Sequence, residues 1–167
     1  LIVFLRFQNL EMLVDPLTGL GNRRRMQLYI DKLSRKRKGE FSAIVFDIDD
    51  FKDINDLYGH IYGDRVLIVI SKILEKSAGN KKITCIRYGG DEFIVITPKE
   101  EVNEFIAKFK KLLSEFNDHK EFPSKIDVSI GVSEFTVNSE INMEYIINTA
   151  DKLMYEKKKL KKRNSNK

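Results

Sequence analysis

The chain of 167 residues is 42% hydrophobic and 33% charged with a formal net charge of +5, a mix that suits one soluble globular domain and leaves little room for a second. Its one cysteine, Cys85, excludes an internal disulfide and a cysteine metal cluster. The apolar opening Leu1-Ile2-Val3-Phe4-Leu5 is followed at once by Arg6, too short a run to span a bilayer, so no membrane insertion is expected within this chain.

Residues 1–14 read as helical, with 1–12 expected to be the end of an upstream signalling or linker helix. Asp15-Pro16-Leu17-Thr18-Gly19-Leu20-Gly21-Asn22 is a loop, broken by proline and two glycines. Asn22 is placed to cap a helix over 23–37 whose apolar positions are Met26, Leu28, Ile30 and Leu33. Phe41 to Ile48 reads as a buried strand, 50–57 as a short helical turn, and Gly59 and Gly63 as the frame of a loop. A helix over 64–78 buries Val66, Leu67, Ile70, Ile73 and Leu74. Ile83 to Arg87 and Phe93 to Thr97 are strands, and Gly89-Gly90 between them signals a hairpin that exploits positive φ. An amphipathic helix follows over 100–117, then a strand from Ile126 to Val132 that turns at Ser133–Phe135. The last helix covers 142–160 through Ile146, Ile147, Ala150, Leu153 and Met154, and 164–167 form a disordered tail. Helices and strands alternate around a sheet of at least four strands, one hairpin included, which predicts an α+β fold with a ferredoxin-like core. That core serves many functions, so the site must carry the functional reading.

Asp47-Ile48-Asp49-Asp50 closes the first strand. Side-chain alternation sends Asp47 and Asp49 to the same side, and three acids in four residues need a cation to neutralise them. Hard oxygen ligands suit Mg2+ or Mn2+, which bridge carboxylates to substrate phosphates. Gly89-Gly90-Asp91-Glu92 is the second acidic point, and a hairpin beside the first strand would carry Asp91 and Glu92 to Asp47, as metal-assisted phosphoryl transfer requires. Lys52 can meet a phosphate, and Asn55 with Asp64 offers amide and carboxylate groups matched to the N1-H and N2-H edge of guanine. No Walker A motif, dinucleotide-binding glycine pattern or nucleophile elbow is present. The basic clusters Arg23-Arg24-Arg25, Arg35-Lys36-Arg37-Lys38 and 157–163 attract phosphates or an acidic surface, or else solvate helix faces.

These motifs resemble the GGDEF family of diguanylate cyclases. Arg87-Tyr88-Gly89-Gly90-Asp91-Glu92-Phe93 matches its signature, and Asp47 through Asp56 with Gly59-His60 and Gly63-Asp64 matches its second block. Asp15-Pro16-Leu17-Thr18-Gly19-Leu20 with Asn22-Arg23-Arg24 matches the opening block, while Val128 to Val132 and Ala150-Asp151 with Tyr155 match the closing ones, so that the likeness covers 13–163. The resemblance implies a mostly antiparallel sheet of about five strands surrounded by helices, akin to nucleotide cyclases and polymerase palms. It implies condensation of two GTP into cyclic di-GMP and two pyrophosphates across a homodimer under an upstream sensor, in a cytoplasmic domain free or tethered to the inner membrane face.

Carried over by position, Asp47, Asp91 and the Ile48 carbonyl would ligate Mg2+ or Mn2+, with Glu92 near the 3′-hydroxyl as metal partner or base. Asp50, Phe51 and Lys52 would hold phosphates with Lys158 and Lys162 of the last helix; Asn55 and Asp64 would read guanine and Leu67 would line its pocket. Two positions depart from the family. Its inhibitory Arg-x-x-Asp site is Asn80-Lys81-Lys82-Ile83 here, and Lys162 stands for a family arginine, with Arg163 next to it. A GTP-binding module without chemistry is the alternative, although such modules usually carry a broken signature. An RNA-binding sheet is disfavoured, because its central strands would present aromatics where these present Ile, Val and Cys.

Overall fold

The computed structural model describes residues 13–36, 38–79, 82–137 and 141–165, with side chains to Lys159. The upstream helix expected over 1–12, Asn80-Lys81 of the departed inhibitory motif, and the side chains of Lys162 and Arg163 lie outside the described residues. In chain order the elements are α1 (Arg23–Lys36), β1 (Glu40–Ile48), α2 (Phe51–Tyr58), α3 (His60–Ala78), β2 (Thr84–Arg87), β3 (Glu92–Pro98), a 3-10 turn (Lys99–Glu101), α4 (Val102–Asp118), β4 (Val128–Thr136) and α5 (Met143–Ser165).

The strands form one antiparallel sheet in the order β2-β3-β1-β4, four strands among the described residues where about five were expected. Helices cover both faces. One core unites Ile44, Phe46 and Ile48 of β1 and Phe93 and Val95 of β3 with α3 and α4; Phe46 meets Phe109 at a ring separation of 4.9 Å. The other unites Ala43, Val45, Ile94 and Ile96 with Met26, Ile30 and Leu33 of α1 and Ile146, Ile147, Ala150 and Met154 of α5. Burial on both faces explains why β1 and β3 read as unbroken apolar runs rather than alternating ones.

Asn22 caps α1 as expected, its Oδ1 accepting the Arg25 N–H at 3.1 Å. Several expectations are corrected. Leu28 (51% exposed) and Leu153 (41%) point to solvent, because the positions around them already fill the face turned to the sheet. Leu13–Val14 is a turn and an isolated bridge to Gly21, not helix. Gly63 lies inside α3, which begins at His60, because the chain needs only Gly59 (φ 85°) to break between α2 and α3. The last strand does not turn at Ser133–Phe135: pairing to β1 runs on to Thr136. Cys85 donates to the Leu74 carbonyl at 3.8 Å, and burial, followed by the charge of Glu75, pushes its thiol up to about 12, as befits an inert strand residue.

One close approach sets the position of α5. A Cβ at Gly131 of β4 would lie 2.0 Å from the Ala150 carbonyl oxygen and 2.8 Å from Met154 Cβ, so the helix backbone rests directly on the strand. Gly131→Ala is therefore expected to destabilise the domain by about 1–3 kcal/mol, since neither backbone can yield without disturbing its packing. Urea unfolding measures this, and an unchanged midpoint would show that α5 docks without the glycine.

Candidate active site

Strand alternation decides which acids meet. Asp47 continues the set of Ala43 and Val45, and Glu92 the set of Ile94 and Ile96, so both lie on the α1/α5 face at the end of the sheet. The register puts them opposite each other, Asp47 against Glu92, with Asp91 one residue earlier in the turn; on its other flank Asp47 pairs with Ser129 of β4. Ile48, by contrast, sends its side chain into the opposite core.

From α5, Lys158 lies one helical turn beyond Met154, on the side of the helix that Gly131 admits to the sheet. Its Nζ reaches Asp47 Oδ1 at 2.5 Å and Asp49 Oδ1 at 3.2 Å, and Asp49 Oδ1 also accepts the Ser129 hydroxyl at 2.6 Å. Burial alone would pull the Lys158 ammonium down, but hydrogen bonds and charge from the two aspartates outweigh it and raise it above the usual lysine range. Asp91 and Glu92 are raised as well. Burial comes first for both; then Asp47 adds repulsion at Asp91, while Asp151, Asp47 and Asp91 add it at Glu92, with Arg23 opposing.

The signature turn closes the hairpin the sequence suggests, β2 pairing antiparallel with β3, but without the positive φ expected of its glycines. Among the described glycines only Gly19, Gly39, Gly59 and Gly79 take positive φ, so neither Gly89 nor Gly90 uses the left-handed region. The turn is held instead by Tyr88 N–H donating to the Glu92 carbonyl at 2.9 Å, and by the Arg87 guanidinium, whose Nε and Nη2 donate to the Gly90 carbonyl at 3.1 and 2.8 Å. Arg87 Nη1 meanwhile grips the Asp15 carboxylate at 3.1 Å, and Asp15 accepts the Thr18 N–H and hydroxyl at 2.9 and 2.7 Å. Burial tends to raise Asp15, but Thr18 and Arg87 together hold it below its usual value. Arg23 adds a second clamp, donating to the Tyr88 carbonyl at 2.5 Å with its guanidinium 4.0 Å over the Tyr88 ring. The Cβ of a residue at Gly90 would meet nothing within 4 Å, which leaves the turn open to a ligand.

The expected nucleotide contacts form a second wing. Asp50 holds a left-handed conformation (φ 54°, ψ 33°) and starts α2 without a side-chain cap. Phe51 is half-buried and Lys52 exposed. Asn55 presses so closely on α3 that a Cβ at Gly63 would stand 2.0 Å from its Oδ1, which fixes the amide beside Asp64. Asp64 is exposed, whereas Leu67, one turn further along α3, is packed into the core. The structure thus joins Asp47, Asp91, Glu92 and Lys158 in one cluster and keeps Asn55 with Asp64 at the α2–α3 junction.

The family model for the "Diguanylate cyclase, GGDEF domain" matches residues 12–165. The chain belongs to this family. Diguanylate cyclase A of Treponema denticola is 37% identical to this GGDEF domain over 137 residues, 78% of this chain and 36% of that protein. An uncharacterized membrane protein of Staphylococcus aureus (strain USA300) is 31% identical over 158 residues, 90% of this chain and 44% of its own length. The chain therefore spans less than half of these relatives. Among solved structures, the GGDEF domain of DgcB from Caulobacter crescentus in complex with c-di-GMP superposes with a TM-score of 0.73 at 26% identity, covering 88% of this chain and 90% of that one. The coiled coil and GGDEF domain of the same protein gives 0.79 at 24% identity, over 93% of this chain and 85% of that one, a likeness of fold.

The cluster has the chemistry of a divalent-cation site. Its donors are carboxylates, two of them are pushed up by burial and then by repulsion from neighbouring acids, and an ammonium already sits where positive charge is wanted. Among the described residues no three acidic, histidine or cysteine side chains converge into a finished ligand set. Sequence reasoning did not single out Ser129 as a site residue, nor Asp15, Arg23, Arg87 and Asp151. Ser129 left one signal, a hydroxyl on an apolar strand.

Raised carboxyls have a consequence for stability. In the folded state Glu92 takes its proton at higher pH than in the unfolded chain. Its burden on the fold is thus full above the raised value and disappears as pH falls to the ordinary glutamate range, about 4.3. Glu92→Gln is expected to raise the urea midpoint at neutral pH, the gain vanishing near pH 4. A lower midpoint at neutral pH would show that the carboxylate is not a burden there.

Proposed function

We propose that this GGDEF domain is a diguanylate cyclase that joins two GTP molecules into cyclic di-GMP with release of two pyrophosphates. The observation that carries the reading is the register that sets Asp47 against Glu92, with Asp91 beside them and Lys158 neutralising the cluster. Asn55 and Asp64 hold guanine by its donor edge, with Leu67 behind them. The backbone at Asp50 and Phe51, the side chain of Lys52, and Lys158 with Lys162 hold the triphosphate. Asp47, Asp91 and the Ile48 carbonyl hold Mg2+ or Mn2+, which when bound neutralises charge on the triphosphate. Glu92, with its raised carboxyl, accepts the proton of the 3′-hydroxyl.

The 3′-oxygen of one GTP then bonds to the α-phosphorus of the other, the bridge to the β-phosphate breaks, and pyrophosphate departs with the electron pair. The same exchange in reverse roles closes the ring. Each copy of the chain presents one GTP, so a second copy is needed, and catalysis rests mainly on positioning and charge compensation.

Incubation with GTP and Mg2+ followed by chromatography tests the reading. Cyclic di-GMP is expected from GTP, no cyclic dinucleotide from ATP, and a loss of about 1,000-fold or more in Asp91→Ala with the fold retained by circular dichroism. GTP that binds and is recovered unchanged would mean a silent module. Product inhibition through the Arg-x-x-Asp position is expected to be absent, because the side chains at 80 and 83 are Asn and Ile. Turnover should therefore stay linear as cyclic di-GMP accumulates, and inhibition that disappears in Asn80→Ala would overturn this.

A further inference from the structure

Asp49 has no part in the ligand or substrate set proposed above, yet three contacts fix it. The Ser129 hydroxyl of β4 donates to its Oδ1 at 2.6 Å, its own N–H donates to the Asp127 carbonyl at 2.9 Å, and Lys158 of α5 stands 3.2 Å from the same Oδ1. Ser129 is itself buried, 6% exposed, so its hydroxyl has little solvent to turn to and braces the carboxylate. Asp47 holds the same ammonium more closely, at 2.5 Å. The Lys158 stem hangs from a stretch of α5 that Gly131 locks onto the sheet, so only its flexible end can move.

A divalent cation arriving at Asp47 meets this ammonium. Two cations on one carboxylate repel strongly where water is partly excluded, so Lys158 has to leave Asp47 Oδ1. Asp49 Oδ1 is within reach of a short swing, and moving there keeps the ammonium paired and hydrogen-bonded throughout. We propose that Lys158 is the placeholder for a divalent cation at Asp47, and that Asp49, braced by Ser129, is the positioning residue that takes Lys158 over when the cation arrives. The inference rests on the reading of Asp47 as a cation ligand but not on the cyclisation chemistry. It follows that the nucleotide-free domain binds divalent metal poorly.

The test is Mn2+ binding to the nucleotide-free protein, followed by electron paramagnetic resonance of free Mn2+, with Asp47→Asn as the control that removes the site. Lys158→Met is expected to tighten Mn2+ binding about tenfold while raising the KM for GTP. Asp49→Asn is expected to weaken Mn2+ binding about threefold or more in the presence of Lys158, and to have much less effect in the Lys158→Met background, because the residue then has no lysine to receive. Ser129→Ala should act in the same direction as Asp49→Asn, with Ser129→Thr restoring it. Mn2+ affinity that is unchanged or lower in Lys158→Met, with circular dichroism unaltered, overturns the placeholder. An Asp49→Asn effect of equal size in both backgrounds reduces Asp49 to a plain contributor of negative charge and overturns its positioning role. Tightened Mn2+ binding in Lys158→Met without any cyclic di-GMP from wild type would retain this inference and reject the cyclase reading.

Discussion

Negative charge gathered at the end of an apolar sheet is the constraint from which the rest of the site follows. Antiparallel pairing forces Asp47 and Glu92 to the same face, and the turn adds Asp91, so carboxylates crowd where the two cores stop and water begins. Such crowding is unfavourable unless it is balanced, and the fold balances it from a distance in sequence. The side chain at position 158 meets position 47 because Gly131 lets α5 lie on β4. The ion pair is only partly exposed and joins one ammonium to two carboxylates. It is thus less an ordinary surface bridge, worth little on its own, than a means of keeping the cluster tolerable while no ligand is bound.

The signature turn depends on the same economy of charge. Arg87 donates both to Asp15 and to the Gly90 carbonyl, so the loop at the start of the domain and the tip that carries Asp91 share one guanidinium. Arg23 stacks on Tyr88 and offsets the charge near Glu92. The two glycines serve here through lack of bulk rather than through left-handed backbone, which leaves the tip open beside the acids. The left-handed residue near the site is Asp50, at the head of α2, a conformation that a non-glycine residue keeps only where its surroundings hold it.

Much of this was legible in the sequence because it is local. The ends of β1 and β3, the cap at Asn22, the amphipathic face of α4 and the acids at 47, 91 and 92 follow from periodicity, capping chemistry and charge at strand ends, which require no knowledge of distant neighbours. The motif spacing likewise carried the family. Errors fell where neighbours override local preference: Leu28 and Leu153 face water despite their hydropathy, Gly63 sits within a helix to make room for Asn55, and β4 runs on to Thr136 because β1 continues to pair with it.

The sequence by itself determined which residue types were available and in which order the elements came, since intrinsic propensity and alternation act over a few residues. Only the tertiary structure decided which charges face one another. The contact of Lys158 with Asp47, the brace from Ser129 to Asp49 and the grip of Arg87 on Asp15 join positions 111, 80 and 72 residues apart. No local pattern encodes such separations; they are set by sheet order, by register and by how closely a glycine lets a helix approach.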